Sequence, residues 1–481
     1  MSGKKIALLV GFVFFLVAAA FLNIPLLAQI ITVAVMIFAF LRPKEAIILL
    51  LIYFPTRPFL IEFEPNLKAI GDAIIIFVFL RVVFNYRKQW KELFRFHVFE
   101  WAFFLFCLLG AVSAYVTGVS LSAIIFQLRA FVITYLLFYA VTRLSITKEE
   151  VRTFLWTTFA VAIVICLHGL VEKLSLRSWL LPQTWASMPL SATNKIRIYG
   201  LIGNPNVLAI YLTFVLFLTY YLRRFVTGKC LWLVNGGLIL ILGVFVFTYS
   251  RGTWIAVLFG LALYLLLTRN WKLVKHGAFG LVTAILFVYF PVNLAVGVIE
   301  DSPFATKQEK QKEETRADLS SRLSETFNED ILDLSRSTGR IFFITKGFEV
   351  FQDHPIIGTG FGTFGDSATK SHSSPIYEEY GIERDFYSDN QYIQIIVQTG
   401  SIGVLLYATF IIGMLLYLWK ARKATPLALV MFAVLAGTLP ACMFYNIWEN
   451  KTFTLYFFIL MGVVGSIIRN GEDLYESSSS N

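Results

Sequence analysis

Few polar side chains in this sequence stand where they can do chemistry, and several of those that do are arginines beside breaks in apolar runs. Residues 195–206 read Lys-Ile-Arg-Ile-Tyr-Gly-Leu-Ile-Gly-Asn-Pro-Asn. Pro205 suits the first turn of a helix and Asn204 its cap, so free N–H groups close to Arg197 would make an anion site. The plainer reading is a capped helix entrance with an arginine at headgroup level. Ser250-Arg251-Gly252 forms a tight turn between two apolar runs, where arginine meets either a bound anion or lipid headgroups. Arg129 lies inside the apolar stretch Phe126-Gln-Leu-Arg-Ala-Phe. A charge there costs about 2.5–3.5 kcal/mol on insertion scales and needs a partner, a cavity or a route outward. It is about eight residues, or ~12 Å, from the end of its run, so it can either snorkel or face a phosphate in an open cavity.

The remaining candidates belong to one long polar stretch, residues 301 to about 390. Asp389-Asn390 stands at its exit, either as a helix cap or as a carboxylate at a cavity rim. His354 and His372 lack HxxxH or HExxH spacing and read as solvated histidines. Gly360-Phe-Gly-Thr-Phe-Gly365 has the GxGxxG form but follows a helix rather than a strand. Turns, or a nest of backbone N–H groups, suit it better than a dinucleotide site.

The elements that must position these residues span a membrane. With 57% hydrophobic and 15% charged residues the chain is no soluble globule, and apolar runs of roughly 17–25 residues recur along it. Fourteen spans are expected, near 6–22, 24–41, 45–60, 69–85, 99–116, 121–142, 151–172, 205–222, 231–248, 253–268, 276–298, 391–418, 425–445 and 452–468. The third is the weakest, interrupted by Pro55 and Pro58. The formal charge of +10 falls mainly on alternate connections, from Lys4/Lys5 to Arg469, as the positive-inside rule requires. That pattern excludes nucleic acid as a partner and puts both termini in the cytoplasm. The N-terminal run resembles a signal peptide, but the charge pattern needs it retained as a first span. Cys107, Cys166, Cys230 and Cys442 show no CxxC spacing and read as small buried hydrophobes, so neither a disulfide framework nor a metal site is expected.

The expected fold class is therefore an all-α polytopic membrane protein. Residues 1–298 form a transmembrane bundle with an outer connection at 173–204, and 299–390 a long extracytoplasmic lid loop. Residues 391–470 form the C-terminal helices and 471–481 a disordered cytoplasmic tail. Within the loop, 340–353 reads as an amphipathic helix with Ile341, Ile344, Phe348 and Phe351 on one face, ended by Pro355 and suited to lie on the membrane surface or to cap the bundle. The charged 301–336 part reads as flexible. This topology places the 173–204 connection, the Arg251 turn and the long loop on one outer face.

In order and sidedness these segments resemble the bacterial O-antigen ligase and O-antigen polymerase family of membrane glycosyltransferases. The matching pieces are Arg197-x-Tyr-Gly-x-x-x-Asn-Pro-Asn206, Ser250-Arg-Gly252, Gly339-Arg340, His354-Pro355, Gly358-x-Gly360-x-Gly362, Asp389-Asn390-x-Tyr392 and Gly400-x-x-Gly403. The resemblance implies transfer of a glycan from undecaprenyl diphosphate to a sugar hydroxyl, outside the bacterial cytoplasmic membrane and without a cofactor or metal. Arg197, Arg251 and Arg340 inherit the holding of the diphosphate, while Arg129, Asn204, Asn206, Asn390, Tyr392 and His372 are expected to bind substrate. A chain-length regulator and a flippase are the partners implied, beside the membrane and the lipid-linked oligosaccharide.

Ligases of the family commonly carry His-Asn at the loop's exit, the histidine acting as base. Here that position is Asp389, which leans toward a polymerase of repeat units. Physically, a diphosphate is already a good leaving group, so the reaction needs charge neutralisation more than a strong acid. Arginine supplies it through a fixed charge and forked donors. Asp389, or His372 in reserve, would take the acceptor's proton. A ligase passing a finished glycan to a lipid or protein, and a flippase guiding an anionic substrate, are the rival expectations.

Overall fold

The computed structural model describes residues 3–300, 339–383 and 385–470. The expected flexible part at 301–336 and the polar tail at 471–481 lie outside the described residues. Among the described residues the chain is helical and holds no strand. Ten helices among the described residues are long and apolar enough to cross a membrane, and Ala7–Leu22, Pro25–Leu41 and Pro426–Ala441 are shorter apolar helices. Every expected span falls on a helix, including Ile70–Asn85. Pro55 and Pro58 do not break the third, which runs unbroken over Pro43–Phe63. Nearby, the Thr56 hydroxyl donates to the carbonyls of Ile52 and Tyr53 at 3.0 and 3.1 Å.

The chain divides into two compact units. The first comprises Met1–Arg81, Ile146–Thr253 and Leu265–Glu325. In it Lys148–Leu174 packs against Pro43–Phe63, Pro205–Leu222 and Gly228–Phe247. Its Trp271–Glu300 helix shows most of its surface, with Phe279, Phe287 and Leu294 more than 70% exposed. An apolar face of that size is stable against lipid and unstable in water.

The second unit comprises Val82–Ser145, Trp254–Tyr264 and Thr326–Asn481. Its centre is Lys451–Asn470, almost wholly buried and packed along Leu121–Arg143. Beside it runs Gln391–Ala421, which breaks at Gly400 with φ 59°. The break exposes backbone groups, and residues 355–361 fill it. Thr359 and Gly360 donate N–H to the carbonyls of Val397 and Gln398 at 3.0 and 2.7 Å. Ser401 and Ile402 donate to Pro355 and Ile356 at 2.9 and 3.1 Å. On the other side the Ser113 hydroxyl donates to the Gly358 carbonyl at 2.6 Å, and Phe361 N–H to that of Gly110 at 2.9 Å. The glycines serve this close approach: a Cβ on Gly360 (φ +93°) would lie 1.9 Å from the Ala114 nitrogen.

A helix covers Arg340–Asp353, as the sequence predicts, but it buries another face. Phe343, Gly347 and Val350 turn inward, whereas Ile341 and Phe348 are exposed. Gly347 decides the face, because its lack of a side chain lets the helix approach Ile393 and Val397. Phe343 then stacks on Phe386 with ring centroids 3.7 Å apart. Of the cysteines, Cys230 is exposed and the other three are buried.

The inserted segment yields a direct test. Gly360→Ala should destabilise the protein by at least about 1–3 kcal/mol, the cost of overpacking, because neither backbone can yield without breaking paired N–H groups. An unchanged thermal unfolding midpoint in detergent would show that the segment does not pack this closely.

Candidate functional site

In the first unit the residues around Arg197 form a strap across the ends of two helices. Asn204 caps Pro205–Leu222, its side-chain oxygen accepting N–H bonds from Asn206 and Val207 at 2.9 and 3.1 Å. Arg197 is only 8% exposed. Its Nε donates to the Thr248 carbonyl at 2.7 Å, and its two terminal nitrogens donate to the side-chain oxygens of Asn194 and Asn206. Arg251 does not sit in a turn: it is the first residue of the Arg251–Thr268 helix, exposed, with Ser250 as its cap position. The turn proper is Thr248–Ser250, where Tyr249 takes φ +48°, unusual for a bulky residue. The structure thus brings together Arg197, Asn206 and the turn that precedes Arg251.

The second unit holds Asp389, Arg340, Asn390, Tyr392, His372 and Arg129. Asp389 immediately precedes the helix cap and adopts φ +47°. A non-glycine residue there costs of order 1–2 kcal/mol, so its neighbours must hold it. Ser388 does so through its N–H to the Gly365 carbonyl at 2.9 Å and its hydroxyl to the Asn446 side-chain oxygen at 3.0 Å. Asn390 caps the helix, accepting from Tyr392 and Ile393 N–H at 3.1 and 3.2 Å. The Tyr392 hydroxyl donates to the Leu439 carbonyl at 2.7 Å.

Arg340 Nη2 approaches Asp389 Oδ2 at 3.5 Å, with the two side chains 50% and 43% exposed. So open and long an ion pair is worth under about 1 kcal/mol, and either partner can turn to a substrate at little cost. Burial raises the Asp389 pKa above the usual aspartate range, against the opposing charges of Arg340 and Lys370. His372 closes the short helix Ser367–His372, its ring 5.5 Å from that of Phe126, one turn before Arg129 on Leu121–Arg143. Arg129 is exposed on that helix.

Below Asp389 lies a buried polar network that the sequence reading missed. Gln391, Gln394 and Gln398 form one stripe of their helix and are at most 1% exposed. Gln391 donates to Gln394 at 2.9 Å and Gln394 to Gln398 at 3.4 Å. Gln394 also donates to Glu449, and Gln398 donates to Asp366 at 2.7 Å. Asp366 accepts further N–H bonds from Gly362 and Thr369, both at 2.7 Å, and Glu449 accepts the Ser367 N–H at 2.9 Å. Two buried carboxylates therefore clamp the glycine-rich turn, and Gly365 at its end supplies the carbonyl that Ser388 grips. The i, i+3, i+7 spacing of three glutamines on an apolar helix was the available signal.

Among known proteins, the family model described as O-antigen ligase matches residues 236–408. The matched stretch holds Arg251, Arg340, His372, Asp389, Asn390, Tyr392 and the glycine-rich turn, whereas Arg129, Arg197, Asn204 and Asn206 lie before it. The match supports the O-antigen ligase and polymerase family and, at a coarse level, an enzymatic role. No curated protein matches the chain.

The carboxylate pair generates a pH prediction. Burial raises the pKa values of Asp366 and Glu449 in the folded protein, and the neighbouring Asp366 raises that of Glu449 further. The folded state then holds protons more tightly than the unfolded chain, so stability is fully present below the ordinary glutamate value of 4.5 and declines as pH rises from there toward neutral. Glu449→Gln should flatten that decline in thermal unfolding curves. An identical slope in the variant would mean that Glu449 does not titrate with folding.

Proposed function

We propose that this chain, whose residues 236–408 carry the O-antigen ligase domain, is a polymerase of lipid-linked oligosaccharide repeats for a bacterial cell-surface polysaccharide. In this reading fourteen helices cross the cytoplasmic membrane, both termini lie inside, and Arg251, Arg340 and Asp389 lie on the outer side. The alternation of the helices from Pro205 to Thr268 supports it, since the N-terminal ends at 205 and 251 then share one side.

The supporting observation is Asp389 itself: a half-exposed carboxylate, held in a left-handed conformation at a helix N-terminus and only loosely paired with Arg340. The acceptor hydroxyl oxygen attacks the anomeric carbon of the donor glycan and forms the new glycosidic bond. The bond from that carbon to the diphosphate breaks, and its electron pair leaves with the carrier. The hydroxyl proton passes to Asp389, whose raised pKa makes it a better base than an ordinary aspartate. The resemblance assigns Arg251 and Arg340, both exposed, to meeting the charge that gathers on the diphosphate, each through forked hydrogen bonds. A chain-length regulator and a flippase would act beside it.

The ligase reading has the description of the matched family in its favour. Against it stands aspartate where such ligases commonly carry histidine. A flippase has no need of an ionisable group at residue 389.

Asp389→Asn should therefore abolish polymer while lipid-linked units still reach the outer face; polymer of normal length would sink the assignment. Arg251→Lys and Arg340→Lys should each lower activity by about tenfold or more, because an ammonium cannot replace a forked pair of hydrogen bonds worth at least ~1.4 kcal/mol. Full activity in both lysine variants, measured by gel analysis of the surface polysaccharide, would make these arginines lipid-facing or structural.

A further inference from the structure

Arg197 poses a difficulty for a direct grip on substrate. It is nearly buried and its guanidinium is engaged by the protein, whereas Arg251 is exposed. We propose that Glu172 and Arg197 are positioning residues, links in a buried brace that sets the turn presenting Arg251. The proposal rests on the diphosphate role assigned to Arg251.

The brace begins in the last turn of Lys148–Leu174. Glu172 is wholly buried there. One carboxylate oxygen pairs with the Arg177 guanidinium. The other accepts N–H bonds from Tyr199 and Gly200 at 3.0 and 2.7 Å. Lys173, the next residue, donates to the Ile196 carbonyl at 2.5 Å, and its ammonium lies 5.4 Å from the centre of the Phe247 ring. The strap is thus stapled at 196 and again at 199–200, with Arg197 between the staples. A buried carboxylate with an ionic partner and two N–H donors is costly to disturb, because any lost donor leaves charge uncompensated. The staple is correspondingly stiff.

From the strap the brace continues to the turn. Ile198 N–H donates to the Phe247 carbonyl at 3.1 Å, and Arg197 Nε to that of Thr248 at 2.7 Å. These carbonyls close the helix Gly228–Phe247 and would otherwise lack partners. Tyr249 follows at φ +48° and then Ser250 and Arg251. A second tie reaches the turn from a π-helical segment, Ile285–Tyr289. Tyr289 stacks on Phe247 at 4.9 Å, and its hydroxyl meets that of Tyr249 at 3.0 Å. A π-turn rotates the residues after it relative to a regular helix, and such turns recur at functional sites. The strained turn is held from two sides, and the residue it presents is a cation. Loss of either tie should let it relax and move Arg251.

Two conservative variants of the full-length protein test this, since both keep their charge. Glu172→Asp withdraws the carboxylate from Tyr199 and Gly200, and Arg197→Lys removes the Nε bond to Thr248. Hydrogen–deuterium exchange of the purified protein in detergent should show at least about tenfold faster exchange over residues 246–252 in both, equal to ~1.4 kcal/mol of lost protection. Unchanged exchange there in Glu172→Asp would overturn the brace. In cells, each variant should shorten or deplete the polymer, yet add nothing to the defect of Arg251→Ala, since residues acting through one another are not additive. An Arg197→Lys defect that adds in full to that of Arg251→Ala would overturn the positioning role in favour of direct contact with substrate. A normal polymer in Arg251→Ala, with faster exchange still seen in the two variants, would instead refute the diphosphate reading and leave the brace standing as architecture.

Discussion

A carboxylate buried in an apolar bundle must find hydrogen-bond donors, and the polar parts of this protein are organised by three that do. Glu172 and Asp366 are wholly buried and Glu449 nearly so. Each accepts backbone N–H groups from an irregular segment: Tyr199 and Gly200, Gly362 and Thr369, and Ser367 respectively. Irregular backbone packed into a helical bundle has the complementary need, because its N–H groups have no regular partners and little water. Charge and backbone thus satisfy one another, and the bonds are of the stronger, charge-assisted kind. In each unit a loop is fixed to a helix bundle, and a hydrogen bond links that loop to the segment carrying a candidate reactive residue: Arg197 to Thr248 in one, Ser388 to Gly365 in the other.

That arrangement explains why the residues proposed for chemistry are less enclosed than those behind them. Asp389 and Arg340 remain about half exposed and loosely paired, and Arg251 is exposed at the start of its helix. Their neighbours carry the rigidity: Ser388 and Asn390 on one side, Thr248 and Tyr249 on the other. Both Tyr249 and Asp389 sit at positive φ one residue before a helix cap, as Asn23 and Arg269 also do. Strain of this sort persists where surrounding bonds over-determine the backbone, as those of Ser388 and Tyr289 do here. Transfer from a diphosphate suits such sites, because the work lies in orientation and charge neutralisation more than in proton transfer.

Hydropathy made the helices legible, since a span must satisfy its backbone internally over a fixed thickness. Short-range chemistry was legible as well: Asn204 and Asn390 as caps, the helix at 340–353, and the closing role of Pro355. Pairings between distant residues were not. Ser113 meets Gly358 and Gln398 meets Asp366, and no local pattern announces either. The buried face of the 340–353 helix followed from Gly347 and Phe386 rather than from its apolar periodicity. Arg197 read as an anion ligand by its type and setting, and its burial against Thr248 is a tertiary fact. The three glutamines were the missed local clue.

Function turns on whether glycan leaves a lipid diphosphate and enters a growing chain. The most direct measurement is analysis of lipid-linked glycans in a strain lacking this protein. Polymerisation predicts single repeats accumulating on undecaprenyl diphosphate, with long polymer absent from the surface. Full-length polymer retained on its carrier would contradict the account and make the protein a ligase.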